Sequence, residues 1–276
     1  MVKIVTDSTT EISPERAKEL GIEVVPIWVN FGSESYRERI DITTDEFYRR
    51  LEAGEFPTTG ASPAGAFAEV YDRLAEETDE VLAVMLSPKL SATYESALRG
   101  MSLMKNTRCH VEVVHDNQTT GSHGLLVMAA NEAAQQGATM EELKELVQEL
   151  DKKAHVRLTF DTMEYLKRGG RIGGAQAFLG SMLHFHPVIG VINGVVDGVA
   201  RVRSRKQALD WLVNFASGFN NVSKMAVEYA TTKEEAQELV QRLGSIFSID
   251  RIEQFTIGPV IGTHLGPHTI GVALIE

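Results

Sequence analysis

The sequence lacks the features of secreted, membrane-embedded and nucleic-acid-binding proteins. Its one cysteine, Cys109, excludes a disulfide framework and a thiolate metal cage, and favours a reducing compartment. The longest apolar run, 81–86, is far shorter than the ~20 residues that a membrane span requires. Positive charge is scarce, since 27 Lys and Arg face 38 Asp and Glu for a net charge of −11. That charge argues against nucleic acid as a partner. We expect a cytoplasmic protein without a signal peptide.

What the 276 residues do contain is ordinary globular composition and a regular alternation of elements. Short β-branched runs alternate with capped helical segments, which predicts an α/β fold. The helix starts include Ser13-Pro14, Ser62-Pro63 and Thr139-x-x-Glu142. The predicted strands are Val2–Thr6, Glu23–Trp28, Val81–Leu86, His110–His115, Val156–Thr159, Val188–Ile192, Val195–Val202, Lys224–Tyr229, Ile252–Thr256 and Thr269–Ile275.

The pattern changes near residue 154. Before it, strands and helices alternate as in βαβ units, which predicts a mainly parallel sheet. After it, two apolar runs meet at Asn193-Gly194, a hairpin signal that predicts a mixed sheet. We therefore expect an N-terminal α/β domain over 1–153 and a smaller C-terminal α/β domain over 154–276.

Three segments combine hydroxyl side chains with turns where predicted strands end. The first, 6–10, follows the first strand, and ligands of open α/β sheets bind beyond the carboxyl ends of strands. In the second, 57–63, the Thr59 hydroxyl and nearby backbone N–H groups could meet an anion. The third, 86–94, places Ser91 at a strand-to-helix junction, which is the general setting of a nucleophile or of an anion ligand. The segment lacks the G-x-S-x-G elbow of hydrolases, which argues against the nucleophile. Simple turns and helix caps are the alternative explanation of each segment.

Two further segments place cations close together, one among glycines and the other at every second residue of a predicted strand end. Four glycines and three cations lie within 167–174, where the backbone can approach a ligand while arginines meet an anion. No glycine-rich nucleotide motif is matched there. The apolar segment 177–192 is expected in the core or beside an apolar cavity. Arg201-x-Arg203-x-Arg205 then places three cations on one strand face, which fits either an anion site or a solvated surface.

The last segment, 257–268, holds His264 between glycines and prolines, a setting that favours a functional role over packing. The pairs His184/His186 and His264/His268 suggest a metal site. No cysteine or carboxylate cluster accompanies either pair, so we predict that the protein binds no metal.

In their order along the chain, these segments make the whole sequence resemble the DegV family. The better characterised members of that family are the fatty-acid-binding subunits of bacterial fatty acid kinase. The resemblance rests on six segments: V-T-D-S-T at 5–9, P-x-T at 57–59, K-L-S-x-T-Y-x-S-A at 89–97, E-Y-L-K-R-G-G-R-I at 164–172, R-V-R-S-R-K at 201–206 and I-G-P-V-I-G-T-H-x-G-P at 257–267. It implies a long-chain fatty acid held between two α/β domains.

The resemblance also implies which residues hold the fatty-acid carboxylate. Thr59 and Ser91 occupy the positions of the family's hydrogen-bonding threonine and serine, and His264 corresponds to a histidine near the carboxylate. The chain departs from the family pattern at two places, both at the predicted carboxylate end of the ligand. The family's serine, glutamine and proline after the threonine are replaced by Gly60-Ala61-Ser62, and His268 replaces a glycine.

The resulting prediction is a lipid-binding carrier that needs no cofactor and presents the carboxyl group to an ATP-dependent fatty acid kinase. Its contact with a membrane would be transient. Arg168, Arg171 and Arg203 are the candidates for phosphate or partner contacts. The alternatives are a hydrolase that uses Ser91 with His264 as base, a histidine phosphotransfer enzyme, and a regulatory module that binds another acidic lipid or small anion.

Overall fold

The residues that the structure describes form three β-sheets with helices packed against them. The structure, a computed structural model, describes residues 1–181 and 185–276. The strands that precede residue 116 are β1 (Lys3–Asp7), β2 (Glu23–Val25), β3 (Trp28–Phe31), β4 (Glu34–Arg37), β5 (Thr58–Gly60), β6 (Glu80–Met85) and β7 (His110–His115). Those that follow residue 153 are β8 (Ala154–Thr159), β9 (His186–Ile192), β10 (Val195–Val202), β11 (Lys224–Tyr229), β12 (Ile252–Thr256) and β13 (Ile270–Ile275).

The first sheet is parallel throughout and has the order β2-β1-β6-β7. Its central strands are nearly continuous apolar runs because both faces are covered, and Val81 to Met85 of β6 are completely buried. The parallel sheet predicted for this part of the chain is confirmed.

A small antiparallel sheet, β4-β3-β5, was not predicted from the sequence. We expected one strand over 23–28, but Pro26 separates β2 from β3. Proline has no backbone N–H for a ladder hydrogen bond, so the chain leaves the first sheet there and enters the second. Residues 58–60, expected as a turn, instead form β5 against β3.

The third sheet is mixed, as expected, with the order β10-β9-β8-β13-β11-β12. Among its pairs only β11 and β12 run parallel in the part of the chain that the structure describes. The hairpin at Asn193-Gly194 joins β9 to β10. Both residues have positive φ, 51° and 81°, as a two-residue type I′ turn requires.

The helices are α1 (Pro14–Leu20), α2 (Thr44–Glu52), α3 (Ala64–Leu74), α4 (Thr93–Leu103), α5 (Thr120–Gln135), α6 (Met140–Asp151), α7 (Glu164–Gly169), α8 (Arg205–Ser217), α9 (Lys233–Leu243) and α10 (Pro259–Leu265). Short 3₁₀ helices cover Ser8–Thr10, Gly173–Ser181 and Ile249–Arg251. Ser13 caps α1 and Thr139 forms a capping box with Glu142 at the start of α6, as predicted. Ser62 does not cap α3, because its hydroxyl donates to the carbonyl of Pro26.

Helix α5 joins the two large sheets. It packs against β1 of the parallel sheet and against β8, β11 and β13 of the mixed sheet. It is buried nearly all round, and the largest hydrophobic cluster takes residues from both sides of residue 154. The division into domains at 153/154 therefore stays a prediction. Within residues 1–181 and 185–276, no helix has the length and apolar character to cross a membrane.

Candidate functional site

A cavity that is partly open to solvent lies where the three sheets meet. Most of its wall is apolar, formed by Ile27, Ala61, Leu86, Leu90, Leu158, Leu166, Ile189, Val191, Val196, Val260, Ile261 and Leu265. The polar side chains that line it are Thr9, Thr59, Ser91, Thr119, Thr120, Arg171 and His264. Such a wall suits a long apolar ligand with a small polar end.

Helix α10 brings His264 and three apolar residues to the cavity. Two buried carboxylates hold its first turn, because Glu11 accepts the N–H of Gly258 and Glu38 accepts that of Val260. Carboxylates suit this position because the N–H groups of a helix start are unpaired. Burial raises the pKa of both carboxyl groups, and the neighbouring Arg39 guanidinium, which bonds to Glu11, opposes that rise.

His264 and Thr59 form a hydrogen-bonded pair although 205 residues separate them. Nε2 of His264 lies 3.0 Å from the hydroxyl oxygen of Thr59, which β5 places beside β3. Burial, with the Arg171 charge as a second cause, lowers the pKa of His264 to about 4. The imidazole is therefore neutral near pH 7 and carries a single N–H.

The position of that N–H follows from the two ring nitrogens. Nδ1 of His264 is buried without a hydrogen-bond partner in the described part of the chain. It packs against Gly169, where an added Cβ would overlap it. A proton on Nδ1 would be a buried donor without an acceptor, which is costly, so we assign the proton to Nε2. Nε2–H then donates to Thr59, and the Thr59 hydroxyl keeps its own proton for another acceptor.

Ser91 precedes α4 in the turn after β6. Its hydroxyl oxygen accepts the N–H of Thr93 and lies 2.8 Å from the Thr93 hydroxyl. The Thr93 hydroxyl can donate to Ser91, which leaves the Ser91 proton available to a ligand. In the described residues no hydrogen bond joins Ser91 to His264, and no carboxylate orients the imidazole of His264. This geometry gives no support to the hydrolase interpretation.

The structure places the three candidate arginines differently. Arg171 lines the cavity, and its guanidinium donates to the carbonyls of Leu90 and Gly169. Arg168 lies outside the cavity lining, paired with Glu164 and stacked on the ring of Phe56 at 3.7 Å. Arg203 is exposed just after β10 and is not among the described residues that line the cavity.

The apolar segment 177–192 contributes Ile189 and Val191 to the cavity wall. Residues 182–184, including His184 of the suggested metal pair, lie outside the described residues. Within residues 1–181 and 185–276, no cluster of three His, Cys, Asp or Glu could hold a metal.

The two departures from the family pattern have simple structural consequences. Gly60 and Ala61 line the cavity, while Ser62 is buried against the carbonyl of Pro26. His268 points to solvent, where its Nδ1 lies 2.6 Å from Asp161. Neither Ser62 nor His268 belongs to the described cavity lining.

The polar segment 6–10 contributes Thr9 to the cavity and anchors a buried ionic network behind it. Asp7 accepts the N–H of Leu86 and lies 3.7 Å from Nε2 of His123, whose Nδ1 lies 2.6 Å from Asp116. Although burial opposes the shift, the two carboxylates raise the pKa of His123 to about 10. The network is therefore a charged histidine between two carboxylates.

Sequence reasoning missed several residues of the cavity wall. Thr119 and Thr120 at the start of α5 are examples, as are Leu158 on β8 and Val196 on β10. The apolar alternation of β8, with Val156 and Leu158 on one face, was the one usable signal. No local pattern marks Thr119 and Thr120 as cavity residues.

Comparison with known proteins gives matches over the full length of the chain. The family model described as "Uncharacterised protein, DegV family" matches residues 1–276. A DegV domain-containing protein of Caldanaerobacter subterraneus subsp. tengcongensis is 33% identical and covers 100% of this chain and 99% of its own.

Two solved structures are similar in sequence and in fold. One, described as fatty acid binding of a DegV family protein from Thermus thermophilus, is 32% identical with a TM-score of 0.90. It covers 100% of this chain and 99% of its own. The other, described as a stearic-acid-binding protein from Eubacterium ventriosum, is 28% identical with a TM-score of 0.91. It covers 100% of this chain and 98% of its own.

Proposed function

Because the chain belongs to the DegV family, we propose that it binds one long-chain fatty acid in the cavity, with the carboxylate at Thr59 and Ser91. The observation that carries the proposal is the pairing of a long apolar wall with a few hydrogen-bond donors at one place. The fatty-acid-binding descriptions of the two similar structures support it.

The free energy of burial favours an acyl ligand. Burying an acyl chain of about 15 methylenes is worth ~12 kcal/mol before the costs of association, at ~0.8 kcal/mol each. A carboxylate buried without partners would cancel much of that gain. The ligand therefore requires donors at its polar end and apolar contacts elsewhere, as the cavity offers.

We assign distinct roles to the residues at the polar end. The Thr59 and Ser91 hydroxyls donate to the carboxylate, and the Arg171 guanidinium provides a nearby positive charge. His264 is a positioning residue, because its Nε2–H occupies the Thr59 oxygen and directs the Thr59 proton toward the ligand.

The test of binding begins with the protein as purified. Native mass spectrometry should show a mass increment of one fatty acid per chain, and an organic extract should contain that acid. After removal of lipid, the protein should bind palmitate or stearate again. An apo mass combined with no affinity for any long-chain acid would contradict the proposal.

We further propose that this cytoplasmic carrier is not itself the enzyme and presents the carboxylate to an ATP-dependent kinase. The kinase would transfer the terminal phosphoryl group of ATP to the carboxylate oxygen, which yields an acyl phosphate and ADP. Arg171 at the cavity and the exposed Arg168 and Arg203 would contact the phosphate or the kinase, since guanidinium groups suit phosphate.

Presentation of the carboxylate to the kinase is tested with the kinase subunit, ATP and the fatty-acid-loaded protein. Arg203→Ala should bind fatty acid like the wild type and form acyl phosphate more slowly. Normal acyl-phosphate formation would remove Arg203 from the partner surface. Hydrolysis of an acyl ester by the protein alone, abolished in Ser91→Ala, would instead support the hydrolase.

A further inference from the structure

One hydroxyl group in the cavity wall lacks a partner. Within residues 1–181 and 185–276, five hydroxyl side chains line the cavity, and four of them bond to another side chain. These four are Thr9 with Asp7, Thr59 with His264, Ser91 with Thr93, and Thr120 with Glu228. The fifth, Thr119, is 6% exposed, and its Oγ1 is buried without a hydrogen-bond partner.

Helix capping does not explain this hydroxyl. Thr119 is the N-cap of α5 in extended backbone geometry, yet its side chain makes no capping bond. Its neighbour Gln118 accepts the N–H of Ser87 in the turn after β6, which places Thr119 beside the turn that leads to Ser91. A buried hydroxyl without a partner is costly to folding, so an unsatisfied one on a residue that lines the cavity points to a ligand group.

The surroundings of Thr119 define the chemistry of that group. The carboxyl group of Glu228 accepts the N–H of Gly121 and the hydroxyl of Thr120, the residue after Thr119. Burial raises the pKa of Glu228 to about 7, so a ligand anion beside it would meet like charge wherever Glu228 is ionised. A neutral oxygen avoids this repulsion, and a threonine hydroxyl can both donate to it and accept from it.

We infer that Thr119 is a second polar contact in the cavity, which binds a hydroxyl or keto oxygen carried on the acyl chain of a fatty acid. The inference rests on the proposed function, because it places an acyl chain along this wall. It makes oxygenated long-chain acids better ligands than the unsubstituted acids of the same length.

Two variants separate this contact from a general effect of burying a hydroxyl. Thr119→Val keeps the branched shape and removes the hydroxyl, whereas Thr119→Ser keeps a hydroxyl. Thr159→Val is the matched control, because Thr159 Oγ1 is also buried without a partner. Thr159 is absent from the described cavity lining, and its neighbour Leu158 faces the cavity from the opposite side of β8.

The experiment measures the dissociation constants of stearic acid and of a positional series of monohydroxystearic acids by calorimetry on lipid-free protein. In wild type, Thr119→Ser and Thr159→Val, at least one isomer should bind about three- to tenfold more tightly than stearic acid. Thr119→Val should lose that preference.

The outcomes distinguish this inference from the proposed function. Stearic acid bound without preference for any isomer, or a preference retained in Thr119→Val, would overturn the second contact and leave fatty-acid binding intact. Wild-type protein that binds none of these acids would overturn both proposals.

Discussion

Two buried histidines, His123 behind the cavity and His264 at its wall, have opposite pKa shifts. In both, Nε2 lies near a threonine hydroxyl, Thr6 at 3.2 Å and Thr59 at 3.0 Å. Burial lowers the pKa of each ring. For His123 two carboxylates outweigh burial and raise the pKa to about 10, whereas beside Arg171 the pKa of His264 falls to about 4.

The difference separates a histidine inside a buried ionic network from one that lines the cavity. The charge of His123 joins Asp7 at the end of β1 to Asp116 after β7, which stabilises the edge on which the cavity is built. His264 has no carboxylate partner in the described residues, so its single N–H can orient a hydroxyl toward a ligand. Burial alone therefore does not determine the charge state of a histidine, whereas its hydrogen-bond partners do.

The largest expected effect is on folding. His123→Ala would leave Asp7 and Asp116 buried without their cation, which should lower the free energy of unfolding by about 3–5 kcal/mol. His110→Ala is the control, since His110 is exposed, and it should change stability by less than about 0.5 kcal/mol. Urea denaturation measures both. Equal stability of the two variants would show that His123 is not the central ion of this network.

The next effect is on binding. On the proposed placement of the carboxylate, Thr59→Ala or Ser91→Ala would remove one charge-assisted hydrogen bond of about 1.5–3 kcal/mol, so fatty-acid affinity should fall ten- to a hundredfold. The thermal unfolding curve in the absence of lipid should change little, because neither hydroxyl supports the core. Wild-type palmitate affinity in Ser91→Ala would exclude Ser91 from the carboxylate site.

A smaller effect is expected from Gly169, against which His264 packs. A Cβ at Gly169 would overlap Nδ1 of His264, so Gly169→Ala must displace the ring from Thr59. We expect about a three- to tenfold loss of fatty-acid affinity. Gly65→Ala in α3 is the matched control, since open space surrounds Gly65. It should stabilise the protein by about 0.5–1 kcal/mol without changing binding.

A part of the fold could be predicted from the sequence where a short stretch of neighbouring residues carries its signal. The hairpin at Asn193-Gly194 and the runs of β6 and β7 are local patterns, and they were predicted correctly. The sheet of β3, β4 and β5 was missed, because its strands have three or four residues and β5 pairs with a distant segment.

The candidate site shows the same limit. Thr59, Ser91 and His264 were predicted as site residues through the resemblance to a family, since only folding brings Thr59 and His264 together. His123 was not identified as a charged residue, because its two carboxylate partners lie on different elements.

The last prediction in this series concerns the protonation states of the two histidines and requires no substitution. Nitrogen-15 NMR of the imidazoles at pH 7 should show His123 protonated on both nitrogens and His264 as the neutral Nε2–H tautomer. The stability that His123 contributes is present below about pH 6.5, its unfolded pKa, and is lost as pH rises through about 10. A neutral His123 at pH 7 would contradict the charge assignment.

The most direct measurement of the central account is the carbon-13 resonance of bound palmitate labelled at its carboxyl carbon. If the carboxylate lies at Thr59 and Ser91, the resonance should shift in Thr59→Ala and in Ser91→Ala. It should stay in place in Thr159→Val, whose hydroxyl is buried away from the cavity. A resonance at the same position in all four proteins would contradict the account, because the carboxylate would then lie elsewhere.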